Sequence, residues 1–365
     1  MALQCGIVGL PNVGKSTLFN ALTAAKALSA NFPFATKDPN VGIITVPDQR
    51  LDKLKELVAP QKTIPTTVEV VDIAGLIKGA SQGEGLGNQF LANIREVNAI
   101  VHVLRCFKND NIIHVDGSVD PVRDKEIIDT ELLLKDIETV EKRLERLKKN
   151  AKTGQKEAVK AVETAEIILQ HLESEKPARD LELSEDQTEL LEEMMLLTRK
   201  PILYVCNVDE NSVISGNEFT EKFKKSIEGE QAEVILVSAE IEAEIIQLDE
   251  QEEREMFLDE MGLKEPGVNR LTRACYKLLD LITYFTAGEK EVRAWTILKG
   301  MKAPQAAGVI HTDFEKGFIR AEVIHYDDYV QYGSEASVKE AGKLHVEGKE
   351  YVVQDGDVMH FRFNV

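Results

Sequence analysis

Long hydrophobic runs are missing from this 365-residue sequence: no uninterrupted apolar stretch is long enough to span a bilayer. A secretory leader is not expected either, because after Met1 the chain runs directly into the strand-like Cys5-Gly6-Ile7-Val8. Cysteine is scarce. The four present, Cys5, Cys106, Cys206 and Cys275, are widely spaced and form no metal-type pair. Three of them sit in apolar strand-like runs, which predicts buried thiols and suits a reducing cytoplasmic compartment. Positive charge is also short: 44 Lys and Arg face 63 Asp and Glu, for a formal net charge of −19. That balance excludes nonspecific nucleic-acid binding through the bulk of the surface, though not through a local basic patch. Internal repeats and low-complexity tracts are absent. The hydrophobic fraction of 43% and charged fraction of 29% are those of a soluble globular protein.

Six short β-rich runs stand out: Leu3–Val8, Val41–Val46, Thr67–Val71, Ala99–Cys106, Ile202–Cys206 and Val234–Ser238. Continuous apolar strands alternating with helical stretches predict a mainly parallel sheet covered on both faces, an α/β fold. Between the fourth and fifth runs, residues 130–199 are rich in Glu, Lys and Leu, with Pro177 and Gly154 the only residues of their kind. Ile137, Val140, Leu144 and Leu147 recur at helical spacing, a turn is expected over Asn150–Gly154, and Val159, Val162, Ile168 and Leu172 resume the pattern. This predicts an inserted, coiled-coil-like helical hairpin. A helical Leu271–Leu281 segment then leads to a small α+β domain with β-rich pieces at Ala294–Leu298, Phe318–Ile324, Glu350–Val353 and Val358–Phe363. The expected division is 1–129 with 200–282, then 130–199, then 283–365.

Gly9-Leu10-Pro11-Asn12-Val13-Gly14-Lys15-Ser16 matches the P-loop pattern in full, between a strand and a helix start at Thr17. The glycines allow a tight loop whose amides face phosphate oxygens, and the following helix adds its positive end. Lys15 is expected to reach the β- and γ-phosphates and Ser16 to ligate magnesium. Asp72-Ile73-Ala74-Gly75 ends the third run, so Asp72 can hold magnesium through water and the Gly75 amide can sense the γ-phosphate. Thr36, in the intervening loop, is the natural switch threonine for the same metal, with Ser29, Thr66 and Thr67 as the other nearby hydroxyls. The glycine-dense 79–87 stretch reads as mobile switch backbone rather than a second nucleotide site.

The order of P-loop, Thr36, Asp72–Gly75, an Asn207 motif and Ser238-Ala239 resembles the translation-factor-related GTPases. More narrowly, Asn31-Phe32-Pro33-Phe34-Ala35-Thr36, Asp72–Leu76 with Lys78-Gly79-Ala80, the helical insertion and the β-rich C-terminus resemble Obg-like ATPases of the YchF type, over essentially the whole chain. The resemblance implies that the C-terminal segment is a TGS, β-grasp-like module associated with RNA or the translation machinery. The segment is mildly acidic (Asp327, Asp328, Glu335, Glu347), so protein contact or shape recognition fits it as well as phosphate tracking.

Two departures from GTPases bear on chemistry. Guanine is read by Asn-Lys-x-Asp, whereas this chain has Asn207-Val208-Asp209-Glu210. Val208 replaces the Lys, and Glu210 replaces the Asp that accepts two guanine donors. Adenine offers no such donors, so the change removes the preference for guanine, while Asn207 is expected to read the adenine edge. A shifted loop that lets Asp209 do the guanine job is the alternative. Leu76 stands where Ras-like GTPases carry a water-orienting Gln, which predicts slow basal turnover raised by a partner. His114, in the loop after the fourth run, is a catalytic candidate by family resemblance. Asn12 occupies the position that helps ligate a monovalent cation in potassium-activated relatives, so potassium is a candidate second ion beside magnesium.

Around the hairpin turn, Lys142, Arg143, Arg146, Lys148, Lys149, Lys152, Lys156 and Lys160 are opposed only by Glu145 and Glu157, a candidate RNA-facing island. The leading reading is an ATP-hydrolysing regulatory switch, monomeric and not membrane-bound, that engages the ribosome or RNA. A GTPase with a degenerate base motif and a nucleotide-sensing module with incidental hydrolysis are the alternatives. A metabolic kinase is set aside, since no acceptor site or lid is identifiable.

Overall fold

The computed structural model describes residues 3–27, 40–73, 86–114, 117–152 and 155–364. β1 (Gln4–Val8) leads through the glycine-rich loop into α1 (Lys15–Ala27), and β2 (Val41–Thr45) is followed by α2 (Gln49–Val58) and β3 (Lys62–Ile64). β4 (Thr67–Asp72), α3 (Leu86–Glu96) and β5 (Ala99–Arg105) precede two long helices, α4 (Pro121–Ala151) and α5 (Lys156–Glu173). The chain continues through α6 (Glu185–Glu193), β6 (Ile202–Asn207), α7 (Glu218–Ser226), β7 (Glu233–Val237), α8 (Ala239–Gln247), α9 (Gln251–Glu260) and α10 (Gly267–Leu278). It closes with β8 (Leu281–Ala287), β9 (Glu291–Leu298), α11 (Ala303–Ile310), α12 (Thr312–Lys316), β10 (Phe318–Ile324), α13 (Tyr326–Tyr332), α14 (Glu335–Glu340), β11 (His345–Glu347) and β12 (Val358–Phe363). Among the described residues no helix is long and apolar enough to cross a membrane.

The first sheet has the order β2-β4-β1-β5-β6-β7, and β1 pairs in parallel with β4 and β5, β5 with β6, and β6 with β7. Every residue of β5 and β6 is buried, as their unbroken apolar runs require of strands covered on both faces. All six predicted strands are found, each end within one residue of its expected place. The loops at the carboxyl ends of β1, β5 and β6 open on the same edge, where open parallel sheets bind ligands.

The helical insertion starts earlier than its Leu and Glu pattern suggests. Asp120 caps α4 by accepting from the Val122 and Arg123 amides at 3.2 and 3.4 Å, with Pro121 in the first turn, so the helix begins at 121 rather than near 130. α4 and α5 share a core of Val140, Leu144, Ala165, Ile168 and Leu172, joined by Leu191 and Met194. Each fully buried Val, Leu or Ile side chain there contributes roughly 1.5–3 kcal/mol. Asp136, wholly buried on α4, accepts from the Leu197 and Thr198 amides at 2.8 and 2.7 Å and from the Thr198 hydroxyl at 2.7 Å, which ties the returning chain to the hairpin.

Two compact units result, Met1–Gly42 with Glu69–Arg270, and Ile43–Val68 with Leu271–Val365. The inclusion of residues 43–68 in the second unit differs from the division expected from sequence, and the reason is pairing. β3 runs parallel to β9, with Lys62 opposite Glu291, and Leu51 and Leu54 of α2 share a core with Phe285, Val292 and Ala294. The second sheet has the order β11-β10-β12-β8-β9-β3. Two local expectations are corrected. α10 stops at Leu278, because Asp280 takes a left-handed φ of 51° and Leu281 already starts β8. Glu350–Val353 forms no strand, only a bridge between Lys302 and Val352.

Candidate nucleotide site

The P-loop backbone demands glycine at two points, Gly9 (φ 156°) and Gly14 (φ 97°), and Asn12 also lies in the left-handed region at φ 62°. A side chain on Gly14 would collide with the Asn207 amide, so that glycine permits β6 to approach the loop. Lys15, 8% exposed, donates Nζ to the Leu10 carbonyl at 2.8 Å, so its charge is held within the loop. Burial lowers its pKa to about 8, against the opposing pull of Asp72. The Ser16 hydroxyl lies 3.3 Å from Asp72 Oδ2, so the loop brings together the two described side chains assigned to magnesium. Burial raises the Asp72 carboxyl, while Lys15 and Ser16 pull it down.

A cavity of about 700 Å³ opens beside the loop, lined by Asn12, Gly14, Lys15, Ser16 and Thr17 on the phosphate side. Asn207, Val208, Asp209 and Ala239 line its other end. Asn207 is committed to the scaffold. Its side-chain amide donates to the Val13 carbonyl at 2.9 Å and its oxygen accepts from the Ala239 amide at 3.0 Å. The residue, 5% exposed, therefore braces the P-loop against α8 while still lining the cavity. Ser238 is wholly buried and caps α8, its hydroxyl accepting from the Ile241 amide at 3.4 Å, so it shapes the site from behind. Glu210 is exposed, opens a short 3-10 turn and is not part of the cavity wall. Asp209 is part of the wall, and its carboxylate accepts from the Ser212 hydroxyl at 2.9 Å.

His114 does not line the cavity. Its Nε2 lies 2.9 Å from Asp124 Oδ2, with both side chains buried, and Arg123 reaches the other Asp124 oxygen at 3.1 Å. Burial raises the Asp124 carboxyl, opposed by His114 and Arg123. The preceding residue does touch the P-loop: Asn12 Nδ2 donates to the Ile113 carbonyl at 3.2 Å. Thr36, Gly75 and Leu76, and all of the glycine-dense stretch before Leu86, lie outside the described residues; Leu86 and Gly87 open α3.

A family model described as a 50S ribosome-binding GTPase matches residues 4–138, and the YchF-GTPase C-terminal model, described as a protein of unknown function, matches residues 281–364. The ribosome-binding ATPase YchF of Bacillus subtilis (strain 168) is 60% identical over 367 residues, covering 100% of both chains. The chain belongs to the YchF family. The YchF protein of Escherichia coli O157:H7 is 56% identical over 365 residues, again covering 100% of each chain. The solved Schizosaccharomyces pombe YchF GTPase matches with a TM-score of 0.90 at 42% identity, over 99% of this chain and 97% of that one.

The YchF-type site has walls that motif reading missed. Phe107, Asn109 and Ile112, from the loop after β5, form one side of the cavity, and Ala243, Glu244 and Gln247 of α8 form another. The first group was findable, since the loop leaves the strand next to the P-loop strand on the ligand-binding edge. The second carries no motif.

The basic island is smaller than its sequence suggests. Lys142 pairs with Glu138, Arg143 with Glu193 at 2.9 Å and Lys148 with Glu166 at 2.8 Å, partners that helical spacing and the antiparallel fold bring from outside the turn. Arg146, Lys149, Lys152, Lys156 and Lys160 are exposed and have no ion pair among the described residues.

Proposed function

We propose that this protein is a cytoplasmic, monomeric ATP-binding and ATP-hydrolysing switch that acts on the ribosome, with slow basal turnover. The observation that carries the nucleotide choice is the base end of the cavity, where Val208 supplies an apolar wall and Glu210 forms no part of it. An ATP base needs no carboxylate acceptor, and a guanine base would find its N1 and N2 donors poorly matched. The names of the B. subtilis and E. coli relatives support both the ATPase activity and the ribosome as partner.

The phosphate end fits a magnesium ion. Ser16 would hold it directly and Asp72 through water, a set with few protein ligands as expected for a metal bound largely by phosphate oxygens. When bound it would neutralise charge on the transferred phosphoryl group. Lys15 would exchange its bond to Leu10 for phosphate oxygens, and Thr36 and Gly75 are assigned to metal and γ-phosphate from sequence. A potassium ion at Asn12, ligated through its amide oxygen, belongs to the same reading. Leu76 cannot orient water, so we assign that task to His114, which would have to turn from Asp124 into the site, its loop being tied to the P-loop through Asn12.

The exposed cations at the hairpin tip are the proposed RNA contact, and the C-terminal unit is read as a TGS-like module. Asp209 favours a second reading: it lines the cavity, so a GTPase with a displaced acceptor remains its competitor. Paired titration with ATP and GTP decides between them, and GTP binding tenfold tighter than ATP would end the ATPase proposal. Single-turnover hydrolysis with and without ribosomes tests the switch, with acceleration by ribosomes expected; no turnover in either condition would leave a sensor. Changing Lys149, Lys152 and Lys156 to Glu should weaken ribosome binding and flatten its salt dependence.

A further inference from the structure

Arg105 is the last residue of β5 and heads the largest fully buried side chains among the described residues, at 2% exposure. A buried guanidinium is expensive unless its donors are met, and a carboxylate is the usual partner. Here the donors go to main-chain carbonyls. Nε donates to Phe107 O at 3.2 Å, Nη2 to Asn109 O at 3.0 Å and Nη1 to Ile112 O at 2.9 Å. The guanidinium also lies over the Phe107 ring, 4.7 Å from its centroid. The segment from Phe107 to Ile112 contains no helix or strand, so its shape depends on what its polar groups bind.

The three residues whose carbonyls Arg105 holds are the same three that form this side of the nucleotide cavity. The next carbonyl, of Ile113, accepts from Asn12 of the P-loop, and the residue after that is His114. Across the sheet, the register of β5 and β6 sets Arg105 opposite Asn207, the residue that ties Val13 to Ala239. Two neighbouring strand ends therefore each hold one wall of the cavity, one through a guanidinium and one through an amide.

We propose that Arg105 is a positioning residue for nucleotide recognition, shaping the Phe107–Ile112 wall into a base-binding surface. The inference rests on the reading that the cavity takes ATP, base included. Lysine at this position keeps the charge but has one nitrogen on a longer flexible stem, so it cannot serve three diverging carbonyls together. Methionine keeps only the apolar stem.

The test uses the full-length protein with Arg105→Lys and Arg105→Met, measuring binding of ATP, GTP and inorganic tripolyphosphate, with thermal melting alongside. Tripolyphosphate needs the P-loop but no base wall. The expected result is ATP binding weakened about thirtyfold by Met and about tenfold by Lys, tripolyphosphate within about threefold of wild type, and the ATP-to-GTP ratio falling toward one. Equal weakening of ATP and tripolyphosphate would overturn the proposal, since it would mean general damage to the loop. So would unchanged ATP affinity in both variants, or failure of both to fold, which would make Arg105 a residue of global stability. A wild-type protein that binds tripolyphosphate as tightly as ATP would instead defeat the underlying reading of the cavity, and that outcome is visible before any variant is made.

Discussion

Asn207 donates its side-chain amide to the Val13 carbonyl at 2.9 Å, a bond spanning 194 positions of sequence. With the Ala239 amide bonded to its oxygen, the residue joins P-loop, β6 and α8 at one buried point. Asn207→Ala should leave a carbonyl and an amide unpaired, each costing about 1–3 kcal/mol. ATP affinity should fall at least about tenfold with a lower melting temperature. Calorimetric titration beside a melt checks this, and unchanged binding would remove the strut.

Nucleotide choice should respond to the motif residues together. Val208→Lys with Glu210→Asp restores an aliphatic stem with a cation and a shorter acceptor. GTP affinity should then rise about tenfold while ATP affinity falls. If the double variant still prefers ATP to the same degree, discrimination resides elsewhere in the cavity, with Asp209 the next position to change.

His114 and Asp124 form a buried pair at 2.9 Å, and the histidine loop is bonded to Asn12. His114→Ala should lower kcat about a hundredfold with ATP affinity within about threefold, the pattern of a group that acts on the transition state. Asp124→Asn retains an acceptor but loses the charge, so it should lower kcat less and shift its pH profile. Basal and ribosome-stimulated turnover both unaffected by His114→Ala would exclude the histidine from catalysis.

His102 in β5 is wholly buried, and neither ring nitrogen has a hydrogen-bond partner among the described residues. Burial pushes its pKa down to about 3, with Lys125, Lys15 and Arg179 adding to the effect. The folded state therefore holds this ring neutral, while the unfolded state takes up a proton below its ordinary pKa of about 6.5. Stability attributable to His102 is intact above that value and is lost as pH falls through the window from about 6.5 to 3. His102→Leu should remove the dependence, raising stability relative to the parent by about 2 kcal/mol more at pH 5 than at pH 8. Urea unfolding at the two pH values measures it, and equal gains would show that the ring titrates in the fold.

The sequence by itself determined the parts of this protein whose physics is local. Gly9 through Ser16 needs only a strand before it and a helix after it to make a phosphate loop, so Lys15 and Ser16 were identifiable without coordinates. The strands of the first sheet were legible because central parallel strands are apolar along their whole length, as β5 and β6 are. Leu76 and Glu210 were informative as substitutions, since hydrogen-bonding capacity is a property of the side chain alone.

Tertiary structure decided everything that depends on distant partners. Asn207 has the composition of a base reader, and only the approach of Val13 and Ala239 makes it a strut as well. The island of eight cations reduces to five exposed ones without ion pairs among the described residues, because Glu138, Glu166 and Glu193 arrive through helical spacing and antiparallel packing. Residues 43–68 carry no mark of the C-terminal unit until β3 pairs with β9. Arg105 shows the reason most plainly: its cost of burial is met by three carbonyls from a loop that only the fold brings around the guanidinium.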